Sequence, residues 1–209
     1  MFKEFSGNLK GILKGLDKPR PFVCNGSPYD SEIFIVGFNA ATEMQADFWE
    51  FWCDKKGFLK EKWFDCYITE RANKPLKPGK TRRNRVSNTR QRIEWIVSAS
   101  TPSKCLEKNI YSKATTEAKE LKKEDMDSSV FEYLLSEIKP RVVFSHGLDA
   151  RKHLELLSGS AIQEGSVTEI TLFGTKTKVL SMSHLSRGWS EGSSKDTGVY
   201  LNQLCTNTA

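Results

Sequence analysis

No stretch of the chain approaches the roughly 20 uninterrupted apolar residues that a membrane span needs, and no charged, apolar and small-residue signal opens it. A cytoplasmic protein without membrane contacts is the expectation. Cysteine is sparse and unpatterned: Cys24, Cys53, Cys66, Cys105 and Cys205 are odd in number, irregularly spaced, and lack a CxxC pair or a neighbouring histidine cluster. Free thiols are therefore expected, with no zinc or iron–sulfur site and no other cofactor. Internal repeats and long low-complexity tracts are missing too.

What is present suffices for a core. Of 209 residues, 38% are hydrophobic and 28% charged, which excludes wholesale disorder. The length suits one ordinary domain, residues 1–209, and a monomer is expected. The net charge of +6 is concentrated in one place. From Arg71 to Arg92 there are nine bases and no acid, among them Arg82, Arg83 and Arg85, while the remainder has 23 bases and 26 acids. A loop and helix segment over 71–92 that clamps the phosphates of single- or double-stranded DNA is one reading. The other is a solvated loop broken by Pro75, Pro78 and Gly79.

Residues 1–16 place Phe2, Phe5, Leu9, Ile12, Leu13 and Leu16 at near-helical spacing, predicting a docking helix. The run from Glu32 to Phe38 is apolar and branched, as in a strand buried on both faces. Runs from Arg141 to Ser145 and from Lys178 to Ser183 are similar, and Cys105 to Tyr111 forms a weaker one. A hairpin around Gly174 joins Val167–Phe173 to the last of them. Ser129 and Glu132 have capping-box spacing ahead of a helix that Pro140 stops. Strands alternating with helices predict an α/β fold, a central and mainly parallel sheet flanked by helices. Binding sites in such sheets gather at the carboxyl ends of the strands. Asn39, Asn109, Ser145, His146, Ser183 and His184 all fall there, and belong to one candidate pocket.

The segment Val36-Gly37-Phe38-Asn39-Ala40-Ala41 after the first strand and Ser183-His184-Leu185-Ser186-Arg187-Gly188-Trp189 after the last resemble two motifs of the uracil-DNA glycosylase superfamily. Those motifs are a Gly-x-Asn/Asp/Glu-Pro loop and a His-Pro-Ser loop. Ala40 and Leu185 stand where the prolines would be. The run from Val142 to Ala150 is similar to the family's apolar strand that ends in a glycine before a helix, so the resemblance extends over residues 32–189.

The resemblance implies a three-layer sandwich, and a monofunctional enzyme that flips a uracil or modified pyrimidine out of DNA and hydrolyses its N-glycosidic bond. DNA repair, or defence against modified phage DNA, would be its setting. It implies that His184 hydrogen-bonds the pyrimidine O2 and that Asn39 positions the attacking water, with no metal or covalent lysine. Such chemistry needs donors aimed at the departing base and support for an oxocarbenium-like sugar. Asn109 would read the base edge, since an amide offers both a donor and an acceptor. Gly37 and Ala40 would border the base, and the small Ala40 and Ala41 would leave room for an enlarged or modified pyrimidine.

Phe48 or Phe58 would supply a flat wall, although aromatics at this spacing are often core. Ser183, Ser186 and Arg187 would hold phosphates, with Trp189 stacking in the gap left by the flipped nucleotide. Each site residue also has a structural reading: a strand-end histidine, a turn asparagine, an exposed polar residue. Two rival functions remain, a nucleic-acid-binding protein without chemistry and a hydrolase using Ser183 or Ser186. The second has no Gly-x-Ser-x-Gly elbow behind it.

Overall fold

Four short apolar runs pair in parallel to make the centre of the sheet in the computed structural model, which describes residues 2–16, 18–40, 43–76, 78–79, 81–115 and 120–207. In chain order the elements begin with α1 (Lys3–Ile12), β1 (Val23–Cys24) and β2 (Ser31–Gly37). A small hairpin of β3 (Trp52–Cys53) and β4 (Gly57–Phe58) leads to α2 (Lys60–Asn73) and α3 (Asn88–Ala99). Then come β5 (Lys104–Asn109), α4 (Ser129–Ile138), β6 (Val142–His146) and α5 (Leu148–Ser158). The chain closes with β7 (Val167–Leu172), β8 (Thr175–Met182) and α6 (Glu191–Thr206). No helix among the described residues is long and apolar enough to cross a membrane.

The sheet order is β1-β5-β2-β6-β8-β7, with β5, β2, β6 and β8 parallel and the two edge strands antiparallel. From β2 the chain crosses first to β5 on one side and later to β6 on the other. Beyond the carboxyl end of β2 the connections therefore diverge and leave a crevice. β7 and β8 turn through Phe173 and Gly174, both at positive φ, as a two-residue hairpin requires.

Helices cover both faces of the sheet. On one, Ile33, Ile35, Val142, Phe144 and Leu180 pack against Ile93 and Ile96 of α3 and Leu201 of α6. On the other, Phe34, Val36, Leu106, Val143 and Val179 meet Phe131 and Leu134 of α4 and Leu154 of α5. The aromatic segment after residue 47 folds into this second layer. Phe5 of α1 contacts the rings of Phe22, Tyr29 and Trp52. α4 starts one residue earlier than the sequence pattern suggests. Ser128 is its N-cap and hydrogen-bonds the Glu132 carboxylate, so the Ser129–Glu132 box does not form.

Candidate active site

Gly37 ends β2 opposite Asn109 of β5, and its missing side chain makes the floor of a cleft. A Cβ at position 37 would lie 2.5 Å from Asn109 Oδ1, 2.9 Å from His146 Cε1 and 3.1 Å from His146 Nε2. Glycine is needed here for space, because two polar side chains from the neighbouring strands lean over it. The cleft holds about 160 Å³ and is lined by Asn39, Ala40, Asn109, His146 and His184. Cavities of about 150 Å³ take up a benzene ring, so a single six-membered ring fits.

The loop after β2 continues the sheet's pairing without a proline. Ile110 N–H donates to Gly37 O, Tyr111 N–H to Phe38 O and Thr115 N–H to Ala40 O. Ala41 lies outside the described residues. The Asn39 amide nitrogen donates to Thr115 Oγ1 at 2.6 Å and more weakly to Thr115 O at 3.5 Å. A carbonyl oxygen accepts only, so this contact fixes the amide orientation. Among the described residues, Asn39 Oδ1 is then the uncommitted end of the side chain.

His184 stands exposed at the mouth. Its Nδ1 accepts the Ser186 N–H at 3.1 Å and lies 2.8 Å from Ser186 Oγ. An accepting Nδ1 leaves the ring proton on Nε2. Burial, helped by Arg187, holds the imidazole below its ordinary pKa, so at neutral pH the ring is an uncharged N–H donor. Gly147, at φ 94°, lets the chain leave β6 tightly enough that His184 Cδ2 would be 3.2 Å from a Cβ there.

His146 is marked by its strand-end position alone, and neither motif assigns it a role. It is buried, its Nδ1 has no hydrogen-bond partner among the described residues, and burial with His184 nearby pushes its pKa down to about 3. Deeper in the cleft, Glu107 of β5 pairs with Arg90 of α3 at 2.5 Å, both buried. Arg90 also reaches Glu94 at 3.1 Å. Arg20 lines the same wall, its pKa lowered to about 10 by burial and then by Arg90. These charges were invisible to motif reasoning, because their pairing depends on α3 lying across β5.

Several expected contacts are absent from the cleft. Phe48 and Phe58 stack on each other at 5.4 Å inside the aromatic core, because the β3–β4 hairpin folds that segment under α1. Besides the two histidines, Tyr67 of α2 is the aromatic residue that lines the cleft. Trp189 is turned inward, edge-on to Phe144 at 6.2 Å, and Arg92 ties its carbonyl and that of Leu185. It is not placed to stack in a nucleotide gap.

Within the basic segment, Arg83 is spent on the carbonyls of Arg71, Lys74 and Pro75 at the end of α2. Arg82 and Arg85 are exposed and without partners among the described residues, as are Ser183 and Arg187. Lys77 and Lys80 lie outside the described residues. No protein-family model and no curated protein matches the chain.

Proposed function

We propose that this protein is a DNA glycosylase, with a uracil-DNA glycosylase-like sandwich as its scaffold, that hydrolyses the N-glycosidic bond of a flipped pyrimidine nucleotide. The observation that carries this reading is convergence. Asn39, Asn109 and His184 come from three separate strand ends and border one cleft with room for a single ring.

In the reaction, Asn39 Oδ1 accepts a hydrogen bond from a water and orients its oxygen toward the sugar carbon. As the bond from that carbon to the base nitrogen breaks, the electron pair moves onto the base. His184 Nε2–H donates to the pyrimidine O2, where that charge gathers. The water oxygen bonds to the sugar carbon, one of its protons passes to solvent, and the departing base is neutralised by a proton. An abasic site remains. A neutral imidazole suits this role, since it stabilises the anion without losing its proton. Ser183, Arg82, Arg85 and Arg187 are the exposed groups available to DNA phosphates.

The test is incubation with oligonucleotides carrying uracil or altered pyrimidines, followed by alkali. Strand breaks at the target base are expected, and Asn39→Ala and His184→Ala should each reduce them by at least about 100-fold. Folded protein that binds DNA in a salt-sensitive manner yet cleaves no base would establish the non-catalytic alternative instead.

A further inference from the structure

Asn109 cannot by itself decide which pyrimidine the cleft takes, because a free amide can turn either its oxygen or its nitrogen toward the base. Its side chain makes no hydrogen bond among the described residues and leans over Gly37. Glu107 has no such ambiguity. It lies two residues earlier on β5, so its side chain leaves the sheet on the same face as Asn109, one pleat deeper. It is 6% exposed and lines the cleft. One carboxylate oxygen is held by Arg90, and the other, Oε1, is buried with no hydrogen-bond partner among the described residues. An unpartnered buried oxygen of this kind is costly, and a ligand that donates to it removes the cost.

Three of the polar side chains that line the cleft follow an order of exposure: His184 exposed at the mouth, Asn109 half-buried, Glu107 buried. A pyrimidine entering on its sugar presents its own groups in a matching order. O2 sits beside the glycosidic nitrogen, N3 comes next, and the substituent on C4 is deepest. The C4 substituent therefore meets Glu107 Oε1. If that substituent is a carbonyl, as in uracil, two acceptors face each other. If it is an amino group, an N–H meets a carboxylate, which is the pairing by which Glu and Asp read cytosine N4.

We infer that the cleft takes a 4-amino-2-oxopyrimidine, cytosine or a C5-substituted cytosine, and that Glu107 is the residue that selects it over uracil. This identification of the base rests on the glycosylase reading above. Asn109 then turns its N–H₂ toward N3.

Two measurements separate the two claims. Saturation-transfer NMR with free cytosine and free uracil reads recognition without chemistry, and cytosine should bind at least tenfold more tightly. Excision from oligonucleotides carrying uracil, cytosine, 5-methylcytosine or 5-hydroxymethylcytosine should give abasic sites at an aminopyrimidine and not at uracil. Glu107→Gln should narrow or reverse the preference, because an amide can donate to O4. That variant leaves Arg90 with Glu94 alone and can fail to fold, so the selectivity of the unaltered protein decides which base is taken, and a folded Glu107→Gln with unchanged preference overturns the assignment to Glu107. Uracil bound or excised as well as cytosine, or neither base bound, overturns the assignment to Glu107, and abasic product at uracil would still uphold the glycosylase. Cytosine bound selectively with no product from any strand upholds Glu107 and removes the glycosylase.

Discussion

The rings of His146 and His184 stand edge to face with centroids 5.1 Å apart, one buried at the floor of the cleft and the other at its mouth. Two cations at that separation would repel, and the inner one would also lack water. The pair is therefore neutral at pH 7, and acid works against it. For His146 the folded pKa is about 3 against an ordinary 6.5.

Between those values the unfolded chain binds a proton that the folded one refuses. The contribution to stability is complete above about pH 6.5, declines as pH falls toward about 3, and levels off below. The slope should approach about 1.4 kcal/mol per pH unit. Urea melts of the native protein and His146→Gln from pH 4 to pH 7 should diverge by that slope. Parallel curves would show that His146 titrates normally.

Gly37→Ala should leave the sheet paired and empty the cleft of function. The added methyl would press on Asn109 Oδ1 and on the His146 ring at distances no Cβ tolerates. The tips of those side chains can retreat into the open cleft, so the stability cost should be about 1–3 kcal/mol. Displacing them by about 1 Å should lower base excision by about 100-fold. Retained excision in a folded variant would mean that the base lies elsewhere.

The sheet was legible because its strands are short, branched and flanked by breakers, and the positions of Asn39, Asn109, His146 and His184 at strand ends followed from that. Burial partners were not legible. Phe48 and Phe58 carry the same aromatic surface whether they face a ligand or one another, and only the β3–β4 hairpin assigns them to the core. The basic segment was readable as charge but not as structure. Arg90 sits in it by sequence, yet it is buried against Glu107, and Arg92 braces the loop that carries His184. No local pattern distinguishes an arginine that meets phosphate from one that meets a carbonyl across the molecule.

Thr115→Val should isolate the positioning of Asn39. Valine keeps the shape of threonine and removes the Oγ1 that accepts from the Asn39 amide at 2.6 Å. The amide then keeps only the weaker contact to the Thr115 carbonyl at 3.5 Å, and its orientation is held less firmly. Loss of one such bond is worth about 1 kcal/mol, which corresponds to about a fivefold drop in kcat. KM should hold, since Thr115 is not among the residues that line the cleft. Combining the change with Asn39→Ala should add nothing further. Full additivity of the two losses would separate Thr115 from the role given to it.

The exposed and the engaged arginines of the basic segment should behave in opposite ways. Arg82→Ala and Arg85→Ala remove charges that have no partner among the described residues, so each should weaken DNA binding across sequences and reduce the slope of log affinity against log salt by about 1. Stability should barely move. Arg83→Ala removes a guanidinium that ties three carbonyls at the end of α2. It should cost about 1 kcal/mol or more of folding stability and leave the salt slope near its starting value. Titrations at several salt concentrations, paired with thermal melts, distinguish the two behaviours. An Arg83 variant that loses a full unit of slope while melting normally would show that its side chain leaves the helix end to meet phosphate.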